Sequence, residues 1–200
     1  MPSIHDITGV ILAGGRASRM GGEDKGLVNF SGRPLIEHVL ERLSPQVDTI
    51  IINANRNLER YRTYATVVAD SMDGYAGPLA GMLAAMNTAD SGYILTVPCD
   101  SPFLPTDLAP RLLHHLPPER PAIAVAHDGV RMQPVFALID CRLRQSLYDY
   151  LHAGERKIDL WYHQHDVTTV DYSDQPDTFI NINRPEELSS EAHRIQEMQT

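Results

Sequence analysis

The sequence predicts an α/β fold, one three-layer domain built on a mainly parallel sheet, and three observations predict it. Short apolar runs alternate with stretches of helical period along the 200 residues, with no repeat, low-complexity tract or linker between them. Several of those runs are continuous, which is the pattern of strands covered on both faces. Polar or glycine-rich residues follow the runs, and open α/β sheets hold their ligands beyond the carboxyl ends of the strands.

The elements follow in order. Gly9 to Leu12 extends the apolar stretch around Ile7 as a first strand that ends in a glycine-rich loop. In RPLIEHVLERL, the residues Leu35, Ile36, Val39, Leu40 and Leu43 share one helical face, and Pro34 suits a first turn. TIIINA and TVVAD are the next strands, the second stopping at Asp70. GPLAGMLAAM opens a helix at Pro78, and YILTVPCDSPF is a buried strand that turns at Asp100. TDLAPRLLHHL is a helix with Thr106 as its N-cap. AIAVAHD and QPVFALI are strands, and RLRQSLYDYLHAG is a helix stopped by Gly154. VTTVDY and TFININ read as short strands, the latter with Asn181 and Asn183 on one face and Ile180 and Ile182 on the other. A terminal helix opens at Pro185. The glycine loop, Asn53, Asp70 and Asp100 therefore fall together on one rim of the sheet.

Bulk properties narrow the function. A net charge of −9 argues against a nucleic-acid-binding face, which would be basic. No apolar run reaches membrane-spanning length, and MPSIHDITG lacks the basic and apolar segments of a signal peptide. Cys99 and Cys141 form no paired spacing, so a reducing cytoplasmic location is expected.

The loop GVILAGGRASRMGGEDKGLVNF carries the chemistry. Gly14, Gly15, Gly21 and Gly22 let backbone N–H groups approach phosphate oxygens, and Arg16, Arg19 and Lys25 supply positive charge. It is not a Walker loop, because Gly26 follows Lys25 where Ser or Thr is required, and it lacks the G-x-G-x-x-G spacing of dinucleotide folds.

LAGGRASRMGGEDK closely resembles the signature L-A-G-G-x-[ST]-x-R-M-G-x-x-K of small nucleotidyltransferases, and most resembles the molybdenum cofactor guanylyltransferases. NAN at Asn53 to Asn55, GPLAG at Gly77 to Gly81, PCDSPF at Pro98 to Phe103, QPVFAL at Gln133 to Leu138 and FININRPEEL continue the resemblance in order, from Gly9 to Leu188. It implies a Rossmann-like nucleotidyltransferase domain that transfers GMP from GTP to molybdenum-molybdopterin, giving the guanine dinucleotide cofactor and pyrophosphate. It also implies contacts with cofactor-insertion proteins and acceptor molybdoenzymes. By the same resemblance, Leu12, Ala13, Gly14 and Gly15 contact the nucleotide, Arg19 and Lys25 hold its phosphates, and Asn53 and Asp70 lie on the guanosine side. Asp100 is the expected magnesium ligand, since magnesium takes one or two carboxylates and completes its shell with phosphate and water. Gly77, Gly81, Arg156, Asn181 and Asn183 are the residues expected toward the pterin.

Other features carry less. His114 with His115 and His163 with His165 lack zinc-site spacing, and Cys99 beside Asp100 has no evident base, so a buried structural thiol is expected. Three alternatives stand beside guanylyl transfer: a cytidylyltransferase for the same pterin, a sugar-phosphate nucleotidyltransferase, and a non-catalytic nucleotide-binding regulator. Sugar enzymes usually read G-x-G-T-R and cytosine-specific relatives L-A-A-G at the position where this chain has Leu12-Ala13-Gly14-Gly15-Arg16. Retention of Arg19, Lys25 and Asp100 together counts against the regulator.

Overall fold

The computed structural model describes residues 4–15, 24–71, 77–117 and 119–198. In chain order, β1 is Ile7–Leu12, β2 Asn29–Phe30, β3 Arg33–Pro34, α1 Leu35–Leu43, β4 Thr49–Asn53, α2 Leu58–Arg62, β5 Thr66–Val68 and α3 Pro78–Thr88. Then come β6 Tyr93–Pro98, α4 Leu108–His114, β7 Ala122–His127, β8 Met132–Asp140, α5 Arg144–His152, α6 Ile158–Tyr162, β9 Asp166–Asp171 and α7 Pro185–Met198. A seven-stranded sheet runs β5-β4-β1-β6-β8-β7-β9, and β2 pairs with β3 in a separate small ribbon. Among the described residues only β8 runs against its neighbours in the large sheet; every other pairing there is parallel.

Period-two alternation explains the continuous apolar runs. Val10, Ile51 and Ile94 point into one core layer, with Leu79, Met82 and Leu83 of α3 and Leu147 and Leu151 of α5. Their neighbours Ile11, Ile52 and Leu95 point into the other, with Ile36, Val39 and Leu43 of α1 and Leu108 and Leu112 of α4. A strand covered on both faces has no polar position to alternate with. The amphipathic α1 follows its pattern, burying Leu35, Ile36, Val39 and Leu43 and leaving Glu41 exposed. By contrast α3 is buried continuously from Leu79 to Met86, because the sheet and α5 cover it from two sides.

A third, smaller core positions the chemistry. Val28, Phe30, Leu35, Phe103 and Ile182 cluster, with Ile180, Leu188 and Ala192 packed against them. This cluster ties the segment after Lys25, the loop after β6 and the start of α7 to one another.

Four strands end in register at one rim. Leu12 pairs with both Asn53 and Pro98, and Asn53 pairs with Val68. The ladder runs one step further, since Ala13 N donates to Asn53 O, Ala54 N to Val68 O and Cys99 N to Leu12 O, at 2.8, 3.0 and 3.2 Å. Gly14, Asn55, Asp70 and Asp100 lie within two residues of those paired positions.

The structure differs from the sequence expectation at several elements. Residues 180–183 form no strand; a short 3-10 turn, Pro176–Phe179, precedes them, and one backbone bond, Ile182 N to Asp100 O at 2.8 Å, holds them. Asp107 rather than Thr106 caps α4, and its side chain makes no capping bond, being engaged by Gln175 Nε2 at 3.1 Å instead. The β2–β3 ribbon and the five-residue helices α2 and α6 have no counterpart in the expected elements, because pieces of two to five residues are too short to show a period. No described helix is long and apolar enough to cross a membrane.

Candidate active site

At the carboxyl end of β6 an ion pair joins three distant segments. Lys25 opens a 3-10 turn, and its Nζ donates to Asp100 Oδ2 at 3.0 Å and to Asn183 Oδ1 at 2.5 Å. Asp100 is 7% exposed, and its other oxygen, Oδ1, is buried with no hydrogen-bond partner among the described residues. A buried carboxylate oxygen left bare costs free energy, so this atom calls for a donor or a cation. Asn181 and Asn183 are held from behind: Ser101 Oγ donates to Asn181 Oδ1 at 2.6 Å, and Asn183 N donates to Glu187 Oε2 at 2.6 Å. Glu187 also accepts from Arg184 N at 3.2 Å, so it caps the N-terminus of α7 while fixing Asn183. A cleft of about 160 Å³ opens here, lined by Leu12, Ala13, Gly15, Asp24, Lys25, Pro98, Cys99 and Asp100.

Asp24 is not among the site residues expected from the sequence. It is buried beside the ion pair, accepting from Tyr61 Oη at 2.6 Å and from Asn57 Nδ2 at 3.4 Å. Burial raises the Tyr61 hydroxyl far above the usual tyrosine range, with Cys99 and Asp24 adding to the effect, so it remains a donor. Gly26 is required where it stands, because a Cβ there would lie 2.7 Å from Tyr61 Oη. The adjacency of Asp24 to Lys25 is the available signal; its partner Tyr61 comes from α2, a helix too short to read in advance.

A second cleft, of about 410 Å³, adjoins the first and shares Leu12, Gly15 and Pro98 with it. Gly14, Asn53, Asp70, Gly77, Pro78 and Val135 complete its lining. Here both oxygens of Asp70 are engaged: Asn53 Nδ2 donates to Oδ1 at 2.9 Å and Asn55 Nδ2 to Oδ2 at 2.8 Å. Asn55 Oδ1 in turn accepts from Asp70 N at 2.9 Å. Gly14 fits against these amides, since a Cβ there would sit 3.0 Å from Asn53 Oδ1 and from Asn55 Nδ2.

Gly81 packs directly under Asn53. A Cβ at Gly81 would collide with the Asn53 carboxamide and come within 2.9 Å of Leu12 Cδ2. Gly81→Ala is therefore expected to displace Asn53 and to destabilise the fold by about 1–3 kcal/mol, the usual cost of overpacking. A thermal melt checks this; an unchanged midpoint would show that Asn53 has room to move.

The expected residues thus fall into two groups. Leu12 and Gly15 line both clefts, Gly14, Asn53, Asp70 and Gly77 line the larger, and Ala13, Lys25 and Asp100 line the smaller. Gly77 and Gly81, expected toward the acceptor, lie beside Asp70 and Asn53. Arg156 lines neither cleft; its guanidinium donates to Leu151 O at 2.7 Å and Glu155 O at 2.6 Å, closing the end of α5. Arg19 lies outside the described residues. Cys99 is buried, and burial followed by the neighbouring Asp100 pushes its thiol well above the usual range, so it stays protonated and inert. Among the described residues no group of three or more His, Cys, Asp or Glu is placed to hold a metal by itself.

The chain matches the MobA-like NTP transferase domain over residues 9–168. It is 53% identical over 182 residues to a molybdenum cofactor guanylyltransferase of Shewanella halifaxensis, covering 90% of this chain and 91% of that one. A molybdenum cofactor guanylyltransferase of Shewanella baltica is 51% identical over 190 residues, covering 94% and 97%. Among solved structures, molybdopterin-guanine dinucleotide biosynthesis protein A of Archaeoglobus fulgidus superposes with a TM-score of 0.79 at 22% identity, covering 95% of this chain and 99% of that one. The 4-diphosphocytidyl-2C-methyl-D-erythritol synthase of Anaerococcus prevotii superposes with a TM-score of 0.69 at 17% identity, covering 96% and 97%. At these identities the structural likenesses establish the fold.

Proposed function

This chain belongs to the MobA-like NTP transferase family and is a nucleotidyltransferase, and from that premise we propose that it transfers GMP from GTP to the terminal phosphate of molybdenum-molybdopterin, with magnesium. The observation that carries the reading is the Lys25–Asp100 pair with its bare Asp100 Oδ1, set where a cleft leading to Asp70 meets the smaller one.

The acceptor is a phosphate already ionised near neutral pH, so the reaction needs no strong base. An acceptor oxygen forms a bond to the α-phosphorus, the bond from that phosphorus to the bridging α–β oxygen breaks, and pyrophosphate leaves with the electron pair. The protein's task is to align two anions and to offset the charge on the leaving group. The donor set fits magnesium, which takes one or two carboxylates together with phosphate and water: Asp100 lines the smaller cleft and carries a buried carboxylate oxygen with no hydrogen-bond partner among the described residues. Bound there, the ion would draw charge from the phosphate oxygens. An ammonium has three N–H donors. Lys25 uses two of them on Asp100 and Asn183, which leaves the third for a phosphate oxygen. Ser101 engages the Asn181 carboxamide oxygen, so the Asn181 amide N–H groups are left to face the acceptor phosphate.

The test is pyrophosphate release by the purified protein with magnesium, molybdopterin, and GTP, CTP or ATP in turn. Release with GTP alone is expected. A preference for CTP would overturn the assignment of the nucleotide, and no release with any nucleotide would overturn the reaction.

A further inference from the structure

We propose that Asn55 is a positioning residue for base selection, holding the Asp70 carboxylate in the orientation that accepts the adjacent N1–H and N2–H donors of guanine. The inference rests on the GTP reading above and goes beyond it by naming which contact distinguishes the base and what fixes it.

Position comes first. Asp70 follows β5 and Asp100 follows β6, and the sheet order β5-β4-β1-β6 puts three strand spacings, about 14 Å, between their ends. An extended nucleotide with its phosphates at Lys25 and Asp100 would reach Asp70 with its far end, which is the base. The walls between are apolar: Leu12, Pro78, Pro98 and Val135 suit a flat ring, and among the described residues Asp70 is the one carboxylate in the lining of that cleft.

Orientation comes second. Each carboxylate oxygen has two lone-pair directions. On Asp70, Oδ1 takes one bond from Asn53 and Oδ2 one bond from Asn55, which among the described residues leaves an acceptor direction free on each. The two amides therefore fix the plane of the carboxylate while leaving it able to accept twice. Asn55 also accepts from the Asp70 backbone N–H, closing a ring of two hydrogen bonds on the residue it positions. Guanine offers two adjacent donors to such a pair of oxygens. Adenine and cytosine place a ring acceptor beside their amino group, so one of the two oxygens would meet a lone pair, and a site built this way rejects them.

Asn53 is buried and packed over Gly81, whereas Asn55 is exposed. Asn55 can therefore be changed with little effect on the core, and its effect should appear in selectivity. Inosine triphosphate, which keeps N1–H and lacks the 2-amino group, is the probe. Wild-type protein is expected to favour GTP over ITP by about tenfold or more in kcat/KM, and Asn55→Ala to narrow that to about threefold or less through a raised KM for GTP, with kcat nearly unchanged. Thermal stabilisation by GTP and by ITP without acceptor should show the same convergence. Asp70→Asn, with one acceptor oxygen in place of two, should narrow the ratio as well. If Asn55→Ala lowers the use of both nucleotides equally, Asn55 only supports the loop and the inference fails while the GTP reading stands. If wild-type protein prefers CTP or ATP, the reading and the inference fail together.

Discussion

Asp100→Asn is expected to lower turnover roughly a thousandfold, about 4 kcal/mol of transition-state stabilisation. The substitution keeps the size of the side chain and removes its charge. The bare Oδ1 would no longer be anionic, and Lys25 would lose its ion-pair partner while keeping Asn183. The local backbone should persist, because Ile182 N bonds to the Asp100 carbonyl and not to its side chain. The expected signature is a fall in kcat with a loss of response to added magnesium and a nearly unchanged melting temperature. A variant that turns over within a fewfold of wild type and responds normally to magnesium would remove Asp100 from the proposed metal site.

Lys25→Ala should lower kcat by about 10²–10³-fold, the range seen when one preorganised donor to developing charge is removed. This variant should also lose stability, since among the described residues the carboxylate at 7% exposure would keep no partner on either oxygen. Lys25→Arg separates the two effects. It restores a cation beside Asp100 with a planar fork in place of a compact ammonium, so stability should recover more fully than turnover. Steady-state kinetics and thermal melts on the two variants check this; wild-type turnover in Lys25→Ala would exclude the residue from the mechanism.

How much of this the sequence discloses depends on how local each cause is. The apolar runs of β1, β4 and β6 show as strands because burial on both faces suppresses alternation, and α1 shows because its period is complete. The reversed direction of β8 is absent from the sequence expectation, although a signal is present: Asp128 and Gly129 stand between two apolar runs, and such a pair marks a tight hairpin. In the structure Asp128 Oδ1 accepts from Val130 N and Arg131 N, and Gly129 takes a φ of +94°. FININ fails as a strand for a different reason. Its alternation is real, with Ile182 buried and Asn181 exposed, but it pairs with no described strand. Period records which way side chains face and says nothing about whether a partner strand exists. The Asp24–Tyr61 bond and the two-amide clamp on Asp70 are not legible in advance, because each joins residues that only the fold brings together. The molybdopterin acceptor is readable only through ordered motifs, since no single residue type specifies it.

The third, small core has a consequence for when the site is complete during synthesis. Every described residue lining the larger cleft lies at or before Val135, whereas Asn183 beside Lys25 and Asn181 on Ser101 lie close to the other end of the chain. A single domain generally folds as a unit, so the cleft beside Asp70 and the centre at Lys25 become complete together, once the chain has been made through α7. The centre is completed only when Ile182, Leu188 and Ala192 join Val28, Phe30 and Phe103. A chain ended before Asn181 would lack Ile182 from that core and Asn183 beside Lys25, and is expected to be both less stable and inactive.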